Sequence, residues 1–144
     1  MLGLHNPDEE ELIQDWVVPG NKATEFISFI TENIDIQGQP WVALPIVPRQ
    51  STTLYPLEPG RKYMNIDCYC FVRKPDPRQD FYYTRILDEL CFKMGGVKML
   101  YWSTFLSENE FDQVYNDGRY WHLKQVYDPN ARALTLYQKV AAKL

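Results

Sequence analysis

The sequence lacks an excess of positive charge and a long apolar run. Its 144 residues contain 15 lysines and arginines against 19 aspartates and glutamates, for a net charge of -4. Nucleic-acid binding depends on neutralising phosphates, so this balance argues against a nucleic-acid partner. No apolar stretch approaches the ~18 residues that a membrane helix needs, and MLGLHNPDEEEL at the start is acidic where a signal peptide is basic. We therefore expect a cytoplasmic protein without a membrane span.

Cysteine and histidine are also scarce. The three cysteines, Cys68, Cys70 and Cys91, form an odd and sparse set that is typical of reduced thiols in an intracellular protein. Cys68 and Cys70 resemble half of a metal site, but no second Cys/His pair completes it, so we favour packed thiols. The two histidines, His5 and His122, make no Cys/His or Ser/His/Asp arrangement, which disfavours an independent hydrolase.

Aromatic residues, by contrast, are abundant. They make up 15% of the chain, with ten tyrosines and four tryptophans, within a hydrophobic content of 45%. The length and the hydrophobic content fit one domain with a sizeable core. Tyrosine and tryptophan suit half-buried surfaces, because each has an apolar body and a polar tip. The composition therefore predicts a surface that meets a ligand or another domain.

The apolar periodicity predicts an α+β fold in the order β-α-β-β-α-β. We expect strands over residues 14–19, 41–47, 61–72 and 97–104. One helix follows Asn21 as its N-cap, and a second runs from Asp80 to Gly95-Gly96. Pro45 inside the second strand favours a position at the edge of the sheet. This order predicts a ferredoxin-like plait, a four-stranded antiparallel sheet with two helices on one face.

The expected domain organisation has three parts. Residues 1–13 are a leader or interdomain linker, residues 14–106 form the plait, and residues 107–144 form a helical extension packed on the same domain. Ser107 and Glu110 form a capping box that starts the extension. Further helices are expected over residues 120–127 and around Tyr137.

The third strand supplies the candidate site residues, because alternate positions differ in character. Met64, Ile66, Cys68, Cys70 and Val72 would face the helices, leaving Tyr63, Asn65, Asp67, Tyr69 and Phe71 on the opposite face. Burying Asp67 unpaired would cost several kcal/mol, so this face should be solvated, paired or part of a site. Alternatively, the C-terminal helices fold over this face, and its aromatic residues form only a second small core.

The fourth strand leaves its orientation open. It contributes to that face either Val97, Met99, Tyr101 and Ser103 or Lys98, Leu100, Trp102 and Thr104. The candidate ligand-facing residues are therefore Asn65, Asp67 and Tyr69, joined by Tyr101 or Trp102. Asp67 or Tyr69 is suited to orienting a substrate hydroxyl or relaying a proton.

Several segments, taken in order, carry a resemblance to a known family. They are QDWVVP at 14–19, WVALP at 41–45, YMNID at 63–67, KMLY at 98–101, Glu110-Phe111 and YQKV at 137–140. Together they resemble the C-terminal cap, or substrate domain, of FAD-linked oxidoreductases of the delta-24 sterol reductase type, which are related to vanillyl-alcohol oxidase.

The resemblance implies a two-domain flavoenzyme in which this part covers the flavin and shapes the substrate pocket. FAD would be bound mainly by a domain missing from this sequence, which has no glycine-rich phosphate-binding turn. We therefore expect a fragment of a longer enzyme or a separately encoded cap, inactive alone, whose partners are a small-molecule substrate and an FAD-binding domain in cis or as another chain. The alternative is a stand-alone plait that binds a ligand or forms a homodimer through the second face of its sheet.

Overall fold

A four-stranded antiparallel sheet is the central element of the computed structural model, which describes residues 6–36, 38–49 and 54–141. The strands are β1 (Glu9–Pro19), β2 (Trp41–Ile46), β3 (Tyr63–Arg73) and β4 (Val97–Lys98), in the order β2-β3-β1-β4. The described residues divide into two compact units. The first runs to Ile46 and from Lys62 to Met99, and the second contains the rest.

The connections of the first unit are those of a ferredoxin-like plait. Helix α1 (Ala23–Asn33) joins β1 to β2, and helix α2 (Tyr82–Lys93) joins β3 to β4. β3 lies between β1 and β2 and is antiparallel to both, while β1 lies between β3 and β4. The predicted α+β class and βαββαβ order are therefore confirmed.

Both helices pack on one face of this sheet, which we call the helix face. Its core combines Trp16 of β1 with Phe26 of α1 and Leu87 of α2, all fully buried. The predicted alternation of β3 is confirmed, since its helix-side residues Ile66, Cys68, Cys70 and Val72 all belong to this core. The three cysteines are free thiols and are buried.

Some element boundaries differ from those predicted. β1 begins at Glu9, five residues before the predicted start, because it pairs along its whole length with β3, from Glu9 opposite Arg73 to Pro19 opposite Tyr63. Residues 9–13 are therefore part of the sheet. Asn21 is not an N-cap: it lies in a 3₁₀ turn, Gly20–Lys22, and α1 has no side-chain cap. β2 does lie at the edge of the sheet, as Pro45 indicated.

The prediction of a strand over residues 97–104 is wrong, because β4 ends at Lys98. The Met99 N–H still bonds to the Asp15 carbonyl at 3.1 Å. The Met99 carbonyl, however, accepts a hydrogen bond from the side-chain Nε2 of Gln14 at 2.9 Å. A buried side chain thus takes the place of a backbone partner, and residues 100–101 form a turn.

The second unit contains three helices: α3 (Glu108–Tyr115), α4 (Gly118–Tyr127) and α5 (Leu136–Ala141). The predicted capping box is confirmed, with Ser107 and Glu110 bonding reciprocally at the start of α3. The Phe111 ring packs against those of Tyr115 and Tyr137, with centroids 4.8 and 5.4 Å away. These aromatic contacts form a small core between α3 and α5.

No helix within the described part of the chain combines the length and the apolar character needed to cross a bilayer.

Candidate functional site

The face of the sheet opposite the helices, here called the second face, brings together two aspartates. Trp16 and Val18 of β1 point to the helix face, so the residues between and before them, Val17 and Asp15, point to the second face. The antiparallel register of β1 and β3 places Asp15 directly opposite Asp67. We call these two residues the dyad. Directly opposed like charges destabilise a sheet, so the arrangement calls for compensation.

Two hydrogen bonds hold the dyad at its ends. The Asn65 side-chain Nδ2 donates to Asp67 Oδ1, and the Tyr69 hydroxyl donates to Asp15 Oδ1 at 3.3 Å. Because Asn65, Asp67 and Tyr69 are spaced by two along β3, their side chains leave the strand on the same side. The result is a continuous polar row from Asn65 to Tyr69 that crosses two strands.

Burial and the neighbouring charge of Asp15 alter the acidity of Asp67. Burial is the largest effect that raises the pKa of Asp67, and the charge and hydrogen bond of Asp15 add to it, which places the pKa at about 6. The Asn65 amide opposes the shift by stabilising the ionised form. Asp67 can therefore gain or lose a proton close to neutral pH.

One atom in this row has an unmet bonding requirement. Asn65 is only 6% exposed, and its Oδ1 is buried without a hydrogen-bond partner. This oxygen is attached to the same carbon as the nitrogen that donates to Asp67, so the unpaired acceptor lies beside the dyad. A buried acceptor left unpaired costs on the order of 1–3 kcal/mol, which a ligand with a suitable donor would recover.

The dyad lies where the second face changes from buried to exposed. Asp67 is 7% exposed and Val17 is fully buried, whereas Tyr69 and Phe71, further along β3, are 48% and 55% exposed. On the edge strand, Leu44 is 50% exposed. The face therefore combines a partly buried polar row with accessible aromatic and aliphatic side chains.

The structure brings three of the five predicted site residues together. Asn65, Asp67 and Tyr69 lie in one polar row, as their spacing indicated. Tyr101 and Trp102 follow the end of β4 and belong to the second unit, so they are not presented by a strand of the sheet. Tyr101 is 42% exposed, and the indole nitrogen of Trp102 is buried without a hydrogen-bond partner. Their part in a site stays a prediction.

Sequence reasoning missed Asp15, the second member of the dyad. The available signal was its position next to Trp16, since a tryptophan in the core sends its neighbours to the opposite face. That signal gives the face but not the partner, because the register of β1 against β3 decides which residue Asp15 meets.

The helix face contains a different charged group, which is compensated internally. Lys98 is fully buried and forms an ion pair with Asp88, and the Trp16 indole N–H donates to the same carboxylate at 2.9 Å. Burial raises the pKa of Asp88 and lowers that of Lys98, while their mutual attraction opposes both shifts. Lys98 thus faces the helices and Val97 the second face, which settles the open orientation of β4 as far as the strand extends.

Within the described residues, no group of three or more histidine, cysteine, aspartate or glutamate side chains is placed to hold a metal ion.

Comparisons with protein-family models, with curated proteins and with solved structures found no match to this chain.

Proposed function

We propose that this chain is the cap, or substrate-binding, domain of an FAD-dependent oxidoreductase and that its second face encloses the substrate. The observation that supports this proposal best is the dyad, an ionisable pair at the border between a buried and an exposed region of one sheet face. A carboxylate with a perturbed pKa, as Asp67 has, beside an accessible apolar surface is a recurring feature of ligand sites. The family resemblance of the sequence supplies the flavin part of the proposal.

The described residues do not fit the dinucleotide part of FAD. Asp15 and Asp67 would repel a phosphate placed on the second face. The glycines with positive φ, Gly38, Gly60 and Gly95, lie far apart in the chain and form no phosphate-binding loop. FAD would therefore be held by another domain, and this chain would act on the substrate side.

The chain's own contribution is orientation and exclusion of water. Asn65 Oδ1 and the dyad can hold a polar hydrogen-bearing group of the substrate, and Asp67 can hold a proton near neutral pH. Tyr69, Phe71 and Leu44 offer the exposed apolar area that would cover the rest of the molecule.

The test compares two flavins by nuclear magnetic resonance of the isotope-labelled chain. Lumiflavin has the isoalloxazine ring without phosphates, whereas FAD has the same ring together with phosphates. We expect both to shift signals of second-face residues such as Asn65 and Tyr69, with similar and weaker than micromolar affinities. FAD binding at least tenfold tighter than lumiflavin would show that this chain holds the phosphates. Unchanged second-face signals at saturating flavin would also refute the proposal.

A matched pair of variants sharpens that comparison. Tyr69→Asp places a charge on the second face, and Tyr127→Asp places one on α4, where Tyr127 is 81% exposed. Only Tyr69→Asp should weaken the flavin contact. Equal weakening by both variants would indicate a non-specific effect of charge.

A second candidate function is dimerisation through the second face. The exposure of Phe71, Leu44 and Val42 on this face favours it, because a self-complementary apolar patch can be buried between two copies. Size-exclusion chromatography with light scattering would then show a dimer that Tyr69→Asp disrupts and Tyr127→Asp does not. A monomer at all concentrations would exclude this function.

A further inference from the structure

We propose that the outer edge of β1 from Glu9 to Ile13, here called the free edge, binds an extended segment of another protein with basic side chains at alternate positions. The segment would add a strand to the sheet beside β1. The inference is independent of the proposed function, because it involves neither the dyad nor a flavin. It is carried by two features, the unpaired backbone groups of this edge and the acidic side chains beside them.

The backbone of β1 faces its two sides alternately. The Lys74 N–H donates to the carbonyl of Asp8, just before β1, at 2.8 Å, so even-numbered residues in this register bond to β3. Neighbouring residues of an antiparallel strand direct their N–H and C=O groups to opposite sides. The N–H and C=O groups of Glu11 and Ile13 therefore point away from β3, towards the side on which β4 lies.

No strand of the described part of the chain meets these groups. β1 is 11 residues long, whereas β4 has only two residues and pairs with β1 beyond the free edge. Within the described residues, the outward backbone groups of Glu11 and Ile13 have no hydrogen-bond partner. An unpaired row of this kind is a template for a further strand.

The opposite edge of the sheet, formed by β2, is blocked by a proline. The Tyr69 N–H donates to the Pro40 carbonyl at 3.2 Å, so even-numbered residues of this segment face β3 and odd-numbered ones face outward. Pro45 is one of the outward residues, and its ring replaces the N–H that would bond to an added strand. The free edge of β1 contains no proline, so the structure favours strand addition there.

The acidic side chains of the free edge define the chemistry of the partner. Glu9 and Glu11 leave β1 on the same side as Ile13, with Glu9 opposite Arg73 and Glu11 opposite Phe71. Neither glutamate takes part in an ion pair within the described part of the chain. Lysines or arginines directly beside them on an added strand would form opposite-charge pairs. Charge complementarity therefore indicates a partner with two basic residues spaced by two.

The apolar part of the same surface defines a third position of the partner. Ile13 lies opposite Tyr69, and Tyr69 and Phe71 are 48% and 55% exposed. A partner side chain beside Ile13 would cover part of this area, so it should be apolar. In an antiparallel strand this residue precedes the two basic ones, again with a spacing of two.

A second copy of the free edge does not fit this position. Antiparallel pairing of Glu9–Ile13 with itself would place Glu11 opposite Glu11 of the other copy. Directly opposed like charges destabilise a sheet. The acidic side chains therefore favour a basic strand and disfavour self-association.

The experiment measures amide hydrogen exchange of the isotope-labelled chain with and without three peptides. TVTKTKT has the valine and both lysines on one face of a strand, and KTTVTTK has the same composition with the valine and the lysines on opposite faces. TVTETET carries glutamates in place of the lysines. Only TVTKTKT matches the free edge in both spacing and charge.

In the free chain, the amides of Glu11 and Ile13 should exchange faster than that of Leu12, which bonds to β3. TVTKTKT should slow both at least tenfold and bind at least tenfold more tightly than either other peptide. Amides of Glu11 and Ile13 that are as slow as that of Leu12 without peptide would show an edge that is already paired. That result, equal binding of TVTKTKT and KTTVTTK, or no slowing by TVTKTKT would overturn the proposal.

A charge reversal completes the test. Glu11→Lys should weaken TVTKTKT at least tenfold and strengthen TVTETET; the side chain is exposed, so the fold should persist, and the spectrum checks this. Glu32→Lys makes the same change of charge at an exposed position of α1 and should alter the affinity less than twofold. Equal losses in the two variants would reduce the effect to net charge and refute the assigned edge.

Discussion

The helix face and the second face of the sheet both hold buried carboxylates, but they compensate them in different ways. On the helix face, Asp88 has an opposite charge in Lys98 and an indole donor in Trp16. On the second face, Asp67 meets a like charge in Asp15 and a neutral donor in Asn65. The same sheet thus contains one carboxylate that is paired with an opposite charge and one that faces a like charge.

The difference separates a structural role from a functional one. The charge and a hydrogen-bond acceptor of Asp88 are satisfied within the fold by Lys98 and Trp16. These contacts fix how α2 and β4 pack on β1. A carboxylate that faces a like charge is less stable than a neutral group of the same shape, so its presence favours a role in binding. Mutations of the charged residues on the two faces should therefore change the stability of the fold with opposite signs.

The largest effect is expected from breaking the ion pair of the helix face. Lys98→Met leaves Asp88 buried without its cation, which should lower the free energy of unfolding by about 3–5 kcal/mol. Urea denaturation at neutral pH measures it. Lys93→Met is the control, because its partner Glu89 is exposed and the pair contributes under about 1 kcal/mol. Equal losses in the two variants would mean that the buried pair has no special role.

A smaller loss is expected from a second helix-face carboxylate. Glu10 accepts hydrogen bonds from the backbone N–H groups of Tyr83 and Thr84, both at 2.8 Å, and from the Thr84 hydroxyl at 2.6 Å. It therefore caps α2 from β1. Glu10→Gln should destabilise the fold by about 1–2 kcal/mol in the same urea experiment, whereas Glu11→Gln, at an exposed position, should not. If Glu10→Gln left the free energy of unfolding unchanged, the charge of Glu10 would be unimportant for the cap.

Asp67→Asn should have the opposite sign, since it relieves repulsion. Below pH 3.8 the carboxyl is protonated in both the folded and the unfolded state and has no effect. Between pH 3.8 and about 6 the folded state keeps a proton that the unfolded state has lost, so stability falls as the pH rises, and the penalty is complete above about pH 6.

The variant removes this penalty and should therefore gain about 1–2 kcal/mol at pH 8 and nothing near pH 3. This gain is below the full linkage value, because the Asp15 side of the dyad is accessible to solvent. Denaturant unfolding of the wild type and the variant at both pH values measures it. A variant less stable than the wild type at pH 8 would mean that the dyad is already compensated.

The sequence was informative where a pattern repeats along one element. Five alternating residues of β3 were enough to assign Asn65, Asp67 and Tyr69 to one face. The order of strand-like and helix-like hydrophobic patterns along the chain was enough to predict the ferredoxin-like plait. The end of β4 was not predictable, because it depends on the side chain of Gln14, which is distant in sequence and bonds to Met99. The predicted strand is therefore too long and wrongly includes Tyr101 and Trp102.

The partners of the charged residues could not be predicted from the sequence for a related reason. Asp15 meets Asp67 only in the observed register, and Lys98 meets Asp88 only when α2 lies on the helix face. A composition with 24% charged residues permits many such pairs, and three-dimensional packing selects among them. The sequence therefore predicts the β3 residues of the candidate site but not Asp15, their partner on β1.

The titration of Asp67 tests the central claim most directly. Carbon-detected nuclear magnetic resonance of the aspartate carboxyl signals, followed from acid to neutral pH, gives the pKa of Asp67 in the wild type and in Asp15→Asn. We predict a pKa of about 6 in the wild type and a clearly lower one in the variant, because burial remains but the opposing charge is gone. A wild-type pKa close to 3.8 that Asp15→Asn leaves unchanged would contradict the account, since the two carboxyl groups would then not act as a pair.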